Sequence, residues 1–224
     1  FNWCYGLTRN LADNTAQKTK YEQMLLPVVM FDPPDFTAPA TCDNEFLLQS
    51  SLWACMLGER RGSYEFDEYG RMVIPAADVD AQAVSLFGQN IKLAHMTIGD
   101  MENAYQYDSD IASYHVPIIA MTGFVTPSVE KIVMKQDSCQ LTVGYVPPTT
   151  VLSINYDSKG NLEETPSKYM LYELRKNGKD FYLYSVTTIM NDRVSGTEIN
   201  TGTVGLVDTL TPSENQGSGH TPAP

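Results

Sequence analysis

From residue 105 to about residue 190 the apolar side chains recur at every second position, and short polar turns interrupt them at regular intervals. That period belongs to strands, not helices, and constrains this part of the chain to successive antiparallel hairpins. The segment 139–146 shows it best. Cys139, Leu141, Val143 and Tyr145 point one way, while Gln140, Thr142 and Gly144 point the other, with Ser138 just before them. This is the pattern of a strand buried on one face. Residues 105–107 and 113–118 flank a turn at Asp108-Ser109-Asp110, and residues 129–135 precede a turn at Gln136-Asp137-Ser138. Pro147-Pro148 must end the strand before them, because proline has no N–H to give a ladder. The clearest hairpin joins 169–176 to 181–189 through Asn177-Gly178. Both of its strands are apolar on two faces, which places them at the centre of the predicted sheet or in a curved sheet packed on two sides.

Before residue 105 the spacing is helical. Tyr21, Met24, Leu25 and Val28 recur at three and four, predicting a helix over 15–26 that Pro27 bends or ends. The following Met30-Phe31-Asp32-Pro33-Pro34-Asp35-Phe36 is predicted to be an extended connector, since each proline disfavours helical backbone in the residue before it. Asp43 or Asn44 can cap a second helix over 44–57. Phe46, Leu48, Leu52, Trp53, Cys55 and Met56 cover more than half its circumference, so it is expected to be the buried, central helix, stopped at Gly58. A short hairpin over 64–74 turns near Glu68-Tyr69-Gly70. The third helix opens at Pro75-Ala76-Ala77-Asp78, faces inward through Val79, Ala83 and Leu86, and stops at Gly88.

Helices gathered on one face of an antiparallel sheet give an α+β fold. The order of elements over about 15–189 resembles the NTF2-like cone, in which a curved sheet wraps helices and leaves a pocket at its open end. A cystatin-like sheet over one long helix is the alternative. The segments MFDPPDF, FLLQSSLWACM, GRMVIPAADVDAQAVSLFG and LTVGYVPP also resemble uncharacterised exported or membrane-anchored proteins of anaerobic gut Firmicutes. That resemblance implies an extracytoplasmic location and no particular activity. The expected organisation is a lead-in over 1–14, one α+β domain over 15–190, and a tail over 191–224 rich in Gly, Ser, Thr and Pro. The tail has too little apolar surface to offset its ordering entropy. The chain begins at Phe1, not Met, and a signal peptide or anchor is expected to have preceded it.

Composition narrows the function classes. Fifteen Lys and Arg stand against 27 Asp and Glu, a formal charge of −12. Such a surface repels phosphate backbones and anionic headgroups, so nucleic acid and direct membrane binding are poor expectations. The four cysteines, Cys4, Cys42, Cys55 and Cys139, form no C-x-x-C pair. Helical geometry over 44–57 would hold Cys42 and Cys55 about 20 Å apart, beyond the ~7 Å a disulfide spans. A Cys4–Cys42 bridge stays open. Cys55 and Cys139 fall on apolar faces, as buried free thiols do.

The chemical motifs are few. His95 and His115 lack a second ligand at metal spacing, and no G-x-S-x-G or thiol-protease signature occurs. Residues 157–161 (Asp157-Ser158-Lys159-Gly160-Asn161) read as a plain turn, because Lys159 stands where a calcium loop needs an oxygen ligand. No metal or cofactor is called for. The surplus is in tyrosine, 13 residues. Tyr145, Tyr172, Tyr182 and Tyr184 lie on expected strands and, on a curved sheet, could line a cavity with Trp53, Phe87 and His115. Three functions follow as expectations. One is a non-catalytic binding module of a Gram-positive envelope, with an envelope protein or glycan as partner. The second is an NTF2-like enzyme using His115 or a strand acid in acid–base work beside tyrosine hydroxyls. The third is a spacer or homodimerisation unit attached to a membrane anchor.

Overall fold

In the computed structural model three α-helices accompany two four-stranded antiparallel sheets among the described residues, an α+β arrangement. The structure describes residues 2–100, 104–118, 123–148 and 165–189, with side chains from residue 14 onward. The expected tail over 191–224 and the turn over 157–161 lie outside the described residues.

Helix α1 runs Asn2–Val29, starting before and ending after the stretch its amphipathic stripe predicts. Pro27 lies inside it. The residue is tolerated because it sits in the last turn, where it removes one helical bond, from the carbonyl of Gln23. Val28 and Val29, both fully buried, hold the end in place. The connector beyond it is extended, as predicted, and does structural work. Phe36 exchanges two 2.9 Å backbone bonds with Val186, and Asp35 Oδ1 accepts the Thr188 N–H at 2.9 Å and hydroxyl at 2.6 Å. An otherwise open sheet edge is thereby covered.

Helix α2, Asn44–Leu57, is capped by Asp43, whose side chain accepts the Glu45 N–H at 2.9 Å. It is the central helix. Leu47 and Ala54 face one hydrophobic cluster, and Leu48, Leu52, Trp53, Cys55 and Met56 face another. Helix α3, Ala76–Phe87, has Pro75 at its N-cap and Asp78 as a first-turn acid. At the other end Gly88 takes φ +91°, and its N–H meets the Val84 carbonyl at 2.9 Å.

The strands divide in a way periodicity did not reveal. Strands β1 (Glu65–Phe66), β2 (Met72–Pro75), β3 (Gln106–Asp108) and β4 (Ser113–Val116) form one sheet in the order β1-β2-β4-β3. Strands β5 (Thr126–Met134), β6 (Ser138–Val146), β7 (Lys168–Asn177) and β8 (Asp180–Thr188) form a second, in chain order. The single sheet expected from residue 105 is therefore two. The early hairpin recruits β4 because Met72 and Ile74 pair with Val116 and Tyr114 and bury the same face on α2. The Asn177-Gly178 hairpin is not the centre of its sheet: β8 is an edge strand, and β6 and β7 are internal. Its loop is Gly178-Lys179, with φ +65° at Gly178. The β5–β6 ladder shifts register between Val129 and Lys131, and the Glu22 carboxylate of α1 accepts the Val129 N–H there at 2.8 Å. Neither sheet closes on itself.

Candidate functional site

The seven residues nominated from sequence do not share a cavity. Trp53 is buried in the cluster over the first sheet, where its Nε1–H donates to the Tyr105 hydroxyl at 2.9 Å. Phe87, Tyr145 and Tyr172 are buried in the cluster over the second sheet. Tyr145 and Tyr172 join hydroxyl to hydroxyl, and Lys168, ion-paired with Asp32, lies 4.6 Å from the Tyr145 ring centre. The concave face expected to be open is filled by these phenols. Burial pushes both above the ordinary tyrosine value of 10.0. Tyr184 stacks under the Arg175 guanidinium at 3.1 Å. Tyr182 packs against Gly88. Of the seven, Phe87 and Tyr182 meet at a hollow, and its 120 Å³ is well below the ~300–1,000 Å³ of ligand pockets.

His115 and His95 serve opposite faces of the first sheet. His115 Nδ1 lies 2.8 Å from Asp67 Oδ2, and its Nε2 lies 4.0 Å from Asp108. Burial opposes the Asp67 charge, yet bonds from the Arg71 and Tyr69 backbones, from His115 and from the Arg71 side chain hold its carboxyl well below the usual range. The group ties the β1–β2 turn to β4. On the other side His95 stacks on Tyr107, reaches the Tyr114 hydroxyl at 2.9 Å and faces Asp80 at 3.3 Å. A carboxylate–imidazole–hydroxyl chain of this kind can move a proton, but Tyr114 is fully buried and burial pushes its phenol up to about 12. No local spacing marks this cluster, since 15 residues separate Asp80 from His95 and 19 separate His95 from Tyr114.

Cys42, Cys55 and Cys139 are free thiols. The Cys4 side chain, and with it the expected Cys4–Cys42 bridge, lies outside the described residues, and the helix over 44–57 separates Cys42 from Cys55 as expected. Burial pushes Cys42 up to about 11 and Cys55 to about 12. Both are protonated at neutral pH, whereas a nucleophile must be thiolate. Among the described residues no group of three or more His, Cys, Asp or Glu is placed to hold a metal ion, and no helix is long and apolar enough to cross a membrane.

A groove of about 560 Å³ lies open among the three helices. Its floor is Met24, Leu26 and Pro27 of α1, Ala54 and Leu57 of α2, and Leu86 of α3. Gln23, Gln82, Ser85 and Glu59 stand around it. Met24 and Ser85 continue into a further hollow of about 170 Å³, at whose far side Lys20 and Asp180 pair at 3.8 Å. Sequence reasoning missed the groove. The available signal was Gln82 and Ser85 flanking the apolar stripe of α3, and a proline inside the stripe of α1. Comparison with family models, with curated proteins and with solved structures finds no match.

Proposed function

We propose that this chain is a non-catalytic binding module, displayed outside the cytoplasm on a Gram-positive cell envelope, and that the three-helix groove holds its partner. The observation that carries the binding role is the groove itself. It falls within the ~300–1,000 Å³ of ligand sites and combines an apolar floor with a few polar groups. The acidic charge of −12 and the resemblance to exported Firmicutes proteins support the location. The NTF2-like order of elements belongs to the proposal as an order only. The pocket that an acid–base enzyme of that type would use is occupied by Tyr145 and Tyr172, which disfavours the catalytic alternative.

Immobilised full-length chain, offered solubilised envelope, tests the role. Ser85 is exposed at the groove, so Ser85→Trp fills it without disturbing the core. The wild type should enrich a protein or glycan fraction that the Ser85→Trp variant does not. Equal recovery by both would count against the groove. Protease digestion of the chain on intact cells tests the location, and full protection would count against it.

A further inference from the structure

The groove is lined by acceptors and by one unpaired negative charge. Helix α2 ends at it through Ala54, Leu57 and Gly58. The last four carbonyls of a helix lack helical partners and carry its partial negative charge. No basic residue lies in the last turn of α2, and Gly58 is extended (φ −76°, ψ 171°), unlike Gly88 after α3. Across the groove, Pro27 leaves the Gln23 carbonyl without its helical donor, and both residues line the groove. Glu59 adds a carboxylate with no ion-pair partner among the described residues. Neighbouring Arg60 is committed to Asp78 on the far side, and neither Arg60 nor Arg61 lines the groove. At the opposite end Lys20 is already paired with Asp180. The groove is thus apolar along its floor and negative at the Glu59 end.

Building on the groove as binding site, we infer that its occupant is a short peptide segment of a partner protein, carrying one Lys or Arg beside apolar side chains. The cation lies at Glu59 and the end of α2, where carboxylate and carbonyls all accept hydrogen bonds. The apolar side chains lie on Met24, Leu57 and Leu86. Gln23, Gln82 and Ser85 can each donate and accept, as the amides of a peptide backbone require. The net charge of −12 steers a cationic segment toward the surface.

The test uses the full chain with four probes followed by NMR or calorimetry. They are the blocked tripeptide acetyl-Leu-Phe-Lys-amide, its analogues with norleucine or glutamate in place of lysine, and 4-phenylbutylamine. The lysine peptide should bind roughly tenfold more tightly than the norleucine peptide, and the glutamate peptide should bind worst. Glu59→Gln, an exposed change, should erase the lysine preference, and added salt should weaken it. If the three peptides bind alike, the cationic assignment is overturned while the groove stands as a site. Binding of phenylbutylamine alone overturns the peptide assignment and keeps the cation. No binding by any probe, or binding that Ser85→Trp leaves unchanged, overturns both the occupant and the groove.

Discussion

Buried hydroxyls are where single residues matter most. Tyr145 and Tyr172 satisfy each other inside the core. Replacing one by Phe strands the other, so Tyr145→Phe should cost about 1–3 kcal/mol. The Tyr145→Phe/Tyr172→Phe double variant should recover most of that loss, and denaturant titration of the three proteins checks it. Burial also raises these phenols, with Tyr21 and Tyr114 pushed up to about 12, above the ordinary 10.0. A raised native value contributes stability that is complete below pH 10 and lost as pH rises through the native values. Absorbance titration should show a set of tyrosines that ionise only when the chain unfolds. Asp67 has the opposite sign. Its depressed carboxyl contributes stability above its ordinary 3.8, lost as pH falls below that value. Asp67→Asn should lower the melting temperature at neutral pH and flatten its dependence below about pH 4.

Among the elements, the end of α3 is the most tightly specified. Gly88 has φ +91°, and a Cβ there would lie 2.8 Å from the Tyr182 ring. Gly88→Ala should cost about 1–3 kcal/mol from backbone strain, with more from the clash. Adding Tyr182→Ala should relieve the clash and leave the strain, a split that stability measurements on both variants can read. Gly88 was legible in the sequence as a helix stop, because the left-handed conformation is a local demand. Its contact with Tyr182 was not, because β8 reaches α3 only once the hairpin folds back. Pro27 shows the same division. Its chemistry predicts a lost hydrogen bond, but whether the helix ends there depended on Val28 and Val29 finding a core.

For the whole molecule, charge is the property that acts at every point. A formal −12 destabilises the compact state by self-repulsion. Moderate sodium chloride should therefore raise the melting temperature, even as it weakens binding of a cationic peptide in the groove. A melting temperature that falls on adding salt would show that local ion pairs such as Arg71–Asp67 outweigh the overall repulsion.

The sequence alone determined what near neighbours decide: a cap at Asp43 or Asn44, the stops at Gly58 and Gly88, the turn at Gly178, and the alternation of β6. Each follows from backbone sterics or a two- or four-residue spacing, which the chain carries wherever it folds. Tertiary structure decided how those pieces were shared out. It divided one expected sheet into two, because the apolar face of β2 and β4 found α2 while β5–β8 found α1 and α3. It turned Tyr145 and Tyr172, expected to line a cavity, into core filling. It opened the groove instead among three helices, where Met24, Ala54, Leu57 and Leu86 meet from distant parts of the chain. Periodicity marks which side of an element is apolar, but only packing decides whether that side meets a partner within the chain or remains free for one outside it.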